Sequence, residues 1–294
     1  MTDLAELRAE WDRALARRPA RARALAFWTP ILDGWLTWPA ASLAPLAWTA
    51  RQCRERWERG VPLIVEAPPD LAREALDAQI GPVLERLAAA GHLDALRRFA
   101  ETWDAGGLGP GDLFLGAGKG GPASIEERIG VPAPILSFLA QAGLRPGLDA
   151  YFSRVRAMPE GVWPARPCPW CGGPPAFVEL VAGGRRRLSC HLCGGAWAAA
   201  APGCAFCGTV EPGAVVALTD ETLEDGDIVE ACRSCRSYLK GVDRRRRFTA
   251  GSPLVEDWST PDLDVRAMSR GYRRPTPSLA HLLDDAAGGA SPAS

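Results

Sequence analysis

The sequence predicts an α+β protein in which a helical N-terminal domain is followed by two small four-cysteine modules. Three observations carry this prediction. Apolar residues recur at helical spacing through roughly the first 160 residues. Short extended segments broken at Gly183-Gly184 replace that pattern afterwards. Eight of the nine cysteines then fall into four Cys-x-x-Cys pairs between Cys168 and Cys235.

The chain has 294 residues, room for two domains of about 100–200 residues each. In the first part, Leu4, Leu7, Trp11 and Leu15 lie on one helical face. Asp70 is a candidate N-cap for a helix carrying Leu76, Ile80, Val83, Leu84 and Leu87, with Gly91 as its stop. A further helix is expected over His92–Ala105, then a Gly-rich loop at Gly106–Pro122. Short helices around Ser124–Ile129, Pro134–Ala142 and Gly147–Ala157 complete the domain, with Ser124 to Glu127 reading as a capping box. Pro159, Pro164 and Pro167 mark a linker.

Ala24–Ala50 is the one segment that strains this picture. It carries a single charge, Asp33, and is long enough to span a bilayer. Pro30, Pro39 and Pro45 interrupt it, and six of the eleven tryptophans lie before residue 60. It is read as helices of a packed bundle, in preference to an apolar docking face or a membrane span.

Beyond the linker, Ala176–Val181 and Arg187–Ser189 read as paired strands, as do Ala214–Leu218 and Ile228–Glu230. The expected division is a helical domain over 1–162, a first four-cysteine module over 163–198, a second with the C-terminal segment over 199–285, and a disordered tail over 286–294.

The four pairs are Cys168/Cys171, Cys190/Cys193, Cys204/Cys207 and Cys232/Cys235. A two-residue spacer lets one tight turn aim two sulfurs at one ion, and a glycine just after the second cysteine relieves the turn. Gly172, Gly194 and Gly208 fill that place, whereas Arg236 holds it in the fourth pair. Two such turns at the ends of a hairpin make a tetrahedral four-sulfur site, the zinc-ribbon or rubredoxin arrangement. The gaps favour sequential pairing, one site from Cys168, Cys171, Cys190 and Cys193 and another from Cys204, Cys207, Cys232 and Cys235. An interleaved pairing of the first pair with the fourth is the alternative. All-thiolate sets suit zinc and iron equally, and a closed site leaves no open position for substrate.

His191 sits between two ligands and could replace a cysteine, but four thiolates already suffice. No secretory leader is visible at the N-terminus, so the cysteines are expected to serve as metal thiolates in the cytoplasm and not as disulfides. With three histidines and no nucleophile pattern beside them, no catalytic residue stands out and the protein is not expected to be an enzyme. Gly116 to Gly121 matches G-x-G-x-x-G only formally, without a βαβ context. The net charge of −1 speaks against nucleic acid as a partner, and the Arg185–Arg187 and Arg244–Arg247 runs read as solvated turns.

Taken together, these motifs resemble the formate dehydrogenase accessory protein FdhE family. The resemblance rests on Cys168–Pro175, Cys190–Trp197, Cys204–Gly208 and Glu230–Lys240. It continues through Tyr151–Arg156, Pro253–Asp257, Leu263-Asp264 and Gly271–Arg274. It implies a helical domain, two rubredoxin-like modules that bind iron, and the eight cysteines as ligands. It further implies an assembly factor for the catalytic subunit of a molybdenum- or tungsten-dependent formate dehydrogenase, with no membrane span and with a homodimer left open. A zinc-ribbon nucleic-acid-binding protein and a rubredoxin-like electron carrier are the rival readings.

Overall fold

The computed structural model describes residues 3–39, 43–89, 91–114, 122–199, 202–218, 226–278, 280 and 282. The Gly116–Gly121 motif, His281 and the 286–294 tail lie outside the described residues. Among the described residues nine α-helices precede the first strand: α1 (Leu4–Arg17), α2 (Ala22–Leu25), α3 (Thr29–Leu36), α4 (Ala50–Glu58), α5 (Leu63–Glu66), α6 (Arg73–Ala89), α7 (Leu93–Asp104), α8 (Pro122–Ile129) and α9 (Ala133–Tyr151). Asp3 caps α1 by accepting from the Ala5 and Glu6 amides, and Leu7 and Trp11 face inward as the spacing predicts. Helix α6 begins at Arg73, so Asp70 is not its cap, and α8 begins at Pro122, which puts Ser124 inside the first turn.

Helix α9 is the centre of this layer. The sequence suggests two short helices here; the structure has one, running through Pro146. A proline inside a helix removes the hydrogen bond to the carbonyl four residues earlier. That carbonyl belongs to Ala142, and the Trp35 indole N–H donates to it at 2.8 Å. The helix therefore continues because a side chain replaces the missing donor. Sixteen of its nineteen residues are buried, and these include its one polar stripe, Ser137, Gln141, Arg145 and Asp149 at four-residue spacing.

Six strands follow: β1 (Phe177–Leu180), β2 (Arg186–Ser189), β3 (Ala196–Ala198), β4 (Val215–Ala217), β5 (Asp227–Cys232) and β6 (Tyr238–Asp243), with α10 (Pro253–Trp258) and α11 (Pro261–Ser269) after them. Strands β3 and β6 were not legible from alternation. The six form one sheet in the order β3-β2-β1-β6-β5-β4. Each four-cysteine segment supplies an antiparallel three-stranded half. The halves join where β1 runs parallel to β6, Phe177 opposite Lys240 and Leu180 opposite Asp243.

Helix α10 lies on β1 and β6 and is itself covered by α1. Its Trp258 stacks on Trp28 at 4.0 Å between ring centroids, with Trp35 at 5.6 Å and Trp11 edge-on at 6.3 Å. Two tryptophans of the Pro-broken segment, Trp28 and Trp35, thus form an interior joint with the C-terminal segment. Among the described residues no helix is long and apolar enough to cross a membrane.

Candidate metal centres

All four Cys-x-x-Cys turns are built alike. The first cysteine's amide donates to the carbonyl five residues on, at 2.8–3.0 Å. In the first three turns the glycine four residues on returns a bond to the cysteine carbonyl. That position has φ of +71°, +77° and +80° at Gly172, Gly194 and Gly208. Arg236 in the fourth has φ +58°, the one left-handed non-glycine among the described residues. Its guanidinium is held by the Arg270 carbonyl at 2.7 Å and lies 4.1 Å over the Tyr272 ring, which offsets a strain of about 1–2 kcal/mol.

The sulfurs gather sequentially. Cys168, Cys171, Cys190 and Cys193 form one group and Cys204, Cys207, Cys232 and Cys235 the other, with all sulfurs of a group within 4.8 Å of one another. Sγ–Sγ separations are 3.5 Å for Cys168–Cys193 and Cys171–Cys190, 3.6 Å for Cys204–Cys235 and 3.8 Å for Cys207–Cys232. A disulfide would need about 2.05 Å. A tetrahedral ion with metal–sulfur bonds of about 2.3 Å sets its sulfurs about 3.8 Å apart. Both groups therefore fit one tetrahedral ion each.

The thiols' own chemistry agrees. Burial pushes Cys168 and Cys171 well above the ordinary thiol range. Cys193, against its own desolvation, is held well below it by hydrogen bonds from the Cys168, Cys171 and Cys190 thiols and by the Arg156 guanidinium. In the second group desolvation pushes Cys204 up to about 12. Cys235, also against desolvation, is drawn down to about 6 by Ser237 and by the Cys204 and Cys207 thiols. A cation bound among four such sulfurs would favour their thiolate forms.

Arg145 and Asp149, which sequence reasoning did not single out, help to position these groups together with Arg156. From α9 and the turn after it, Arg145 donates to the His191 carbonyl at 3.0 Å, and Arg156 reaches Cys193 Sγ at 3.6 Å and Asp149 at 3.0 Å. A Cβ on Gly194 would lie 2.6 Å from Arg145 Nη2, so the turn needs glycine for space as well as for φ. Trp170 is fully buried, packs edge-on to Trp57 at 6.1 Å and donates to the Val155 carbonyl at 2.8 Å.

His191 turns away from the sulfurs, with Nε2 2.9 Å from Asp257 Oδ2. This contact opens a buried ionic network. Arg274 donates to Asp257 at 2.7 and 2.9 Å and to Asp264 at 3.1 Å. Lys240 Nζ donates to Asp264 at 2.6 Å and lies 3.0 Å from Asp257. The Tyr238 hydroxyl donates to Asp264 at 2.7 Å. Asp257, although desolvated, is held well below the carboxylate range by Arg274 and Lys240. Burial, with Arg274 and Arg145 nearby, pushes His191 down despite Asp257. Two carboxylates thus face two permanent cations around a neutral imidazole. The network ties the Cys190–Cys193 turn to β6, α10 and α11, and so one sulfur group to the half-sheet that carries the other. Except for His191, its members were visible beforehand only as positions of family resemblance.

The arginine runs are spent in ion pairs within the chain. Arg186 pairs with Glu230 across the half-sheets, Arg244 with Glu179 at 2.6 Å and Arg247 with Asp227 at 2.8 Å.

No protein-family model matches the chain. A protein named FdhE homolog from Aquifex aeolicus (strain VF5) is 29% identical over 147 residues, 49% of this chain and 51% of that protein. A second FdhE homolog, from Pseudomonas aeruginosa, is 32% identical over 121 residues, 38% of this chain and 38% of that one. The chain thus matches about half the length or less of these curated relatives. The crystal structure of the FdhE protein from Pseudomonas aeruginosa shares the fold over 95% of both chains, with a TM-score of 0.57 at 23% sequence identity. The chain is thus similar in sequence to proteins named FdhE homolog over half its length or less, and it shares its overall fold with the FdhE crystal structure.

Proposed function

We infer that the protein is a cytoplasmic metal-binding accessory protein, an assembly factor without catalytic activity of its own. It binds the catalytic subunit of a molybdenum- or tungsten-dependent formate dehydrogenase and is needed for that enzyme's activity. The observation that carries the metal part is the pair of four-sulfur groups at the span of a tetrahedral ion. The client is inferred from the similarity to proteins named FdhE homolog.

Cys168, Cys171, Cys190 and Cys193 would hold one ion, and Cys204, Cys207, Cys232 and Cys235 the other, as iron or zinc. Bound there, an ion supplies cross-linking free energy, about 10 kcal/mol or more in zinc-finger peptides. The chain's own residues do the rest. Four tight turns present the sulfurs, Arg156 neutralises thiolate charge, and the Asp257–Asp264 network fixes the two half-sheets against the helices. What results is a shaped protein surface for a client, with no substrate position at either centre.

Purification without oxygen from cells that express the native partners tests this reading. About two metal ions per chain and a co-purifying formate dehydrogenase subunit are expected. Two ions with nucleic acid attached, and no such subunit, would move the assignment to the zinc-ribbon rival. Fast reversible one-electron cycling without a client would move it to the electron carrier.

A further inference from the structure

The two sulfur groups differ in what surrounds them. In the first, all four cysteines are buried. Both of its turns are clamped from the helical layer. The Leu63 and Ile64 amides of α5 donate to the Pro169 and Trp170 carbonyls at 3.0 and 2.9 Å, and the Trp57 indole donates to Pro169 at 3.2 Å. Arg145 and Arg156 grip the Cys190–Cys193 turn from the other side. No sulfur of this group faces solvent, so an outside ligand reaches it only after the helices and the turns part.

In the second group Cys204 and Cys232 are buried, but Cys207 is exposed and Cys235 half-buried. Both open sulfurs are the second cysteine of their turn, so they share the outer side of the group. Val210, just past the Cys204–Cys207 turn, is 66% exposed. Below the open sulfurs, Cys204 and Cys232 remain seated on the half-sheet, the Cys232 amide donating to the Ser237 carbonyl at 2.8 Å.

We propose that the second group is an exchangeable metal site, open to an incoming thiol or chelating ligand on its Cys207–Cys235 side, while the first is closed to exchange. This rests on the metal-binding reading above. In the exchange, the incoming thiol takes the coordination place that Cys207 Sγ leaves, and its proton passes to Cys207 Sγ. One metal–sulfur bond breaks as one forms, and no oxidant or reductant takes part. The ligand class is a soft donor presented on a flexible chain or a small molecule, because the opening is a surface and not a cavity.

The full chain loaded with Zn²⁺ alone, then challenged with a colour-forming chelator and a small thiol, tests this. Two zinc ions per chain are expected to leave in two phases, one equivalent at least about tenfold faster than the other. Timed alkylation with peptide mapping should label Cys204, Cys207, Cys232 and Cys235 in the fast phase and spare Cys168, Cys171, Cys190 and Cys193. Cys207→Ser should remove the fast phase and leave the slow one in place. A single phase releasing both equivalents, or earlier labelling of the first group, overturns the proposal while leaving metal binding intact. Absence of bound zinc before the challenge overturns metal binding itself, and exchange with it.

Discussion

Replacing Lys240 with methionine removes one cation from a network that holds two carboxylates, two permanent cations and a neutral imidazole. Lys240 is 1% exposed, and its ammonium touches Asp264 at 2.6 Å and the Asp257 and Thr260 carbonyls at 2.7 and 3.1 Å. At an effective dielectric of about 20, a unit charge pair at that 2.6 Å separation interacts by roughly 6 kcal/mol before desolvation is counted. Met removes the desolvation of the ammonium but leaves Asp264 Oδ2 without its cation and the two carbonyls each one donor short. Removing one partner of a buried pair costs about 3–5 kcal/mol. At roughly 2–4 °C per kcal/mol for a chain approaching this size, the melting temperature should fall on the order of 10 °C. Thermal scans at one fixed metal loading measure this. The double variant Lys240→Met/Asp264→Asn restores neutrality and should cost at least about 1 kcal/mol less than the two single changes added. A Lys240→Met loss under about 1 kcal/mol, or strict additivity in the cycle, would refute the account of this network as a balanced charge cluster.

Trp35→Phe leaves the Ala142 carbonyl without its donor and should cost about 1–3 kcal/mol beyond packing; adding Pro146→Ala, which returns the helical amide, should recover part of it, and equal losses with and without that change would count against the replacement-donor explanation. Gly183→Ala meets no atom within 4 Å at φ +73° and should cost about 1–2 kcal/mol of backbone strain alone. Gly194→Ala adds displacement of Arg145 to a similar strain, so urea unfolding should show the larger loss there. The pH dependence of Asp257 follows from its lowered pKa. Its ionised form stabilises the fold above the unfolded carboxylate value of about 3.9, and that contribution disappears as pH falls through the lower folded value. The stability gap between wild type and Asp257→Asn should therefore be level from pH 7 to about 5 and shrink below about 4; a gap that stays constant to pH 2 would contradict it.

Much of the site was legible because metal turns are local. A Cys-x-x-Cys turn needs two sulfurs three positions apart and a left-handed residue just after, and each requirement is visible in a few residues of sequence. Sequential grouping of the pairs also followed from short gaps. The helices with a clear apolar face, α1 and α7, were readable for the same reason. Helix α9 was not, because its polar stripe is buried with the rest and Pro146 reads as a break until a distant tryptophan supplies the donor. Strands β3 and β6 escaped because one is three residues long and the other is buried throughout, which leaves no alternation to detect.

From sequence came the α+β class, the eight sulfurs, a preference for their sequential grouping and a resemblance to the FdhE family. Tertiary structure decided what joins them. One sheet runs through both four-cysteine segments by the β1–β6 pair, whose partners are more than sixty positions apart. The isolated lysine of the described chain, two aspartates and an arginine meet in one buried network although nothing local links them. The same packing closes the first sulfur group and leaves the second open. Local chemistry fixes which atoms can bind a metal; long-range burial fixes which of those atoms water and other ligands can reach.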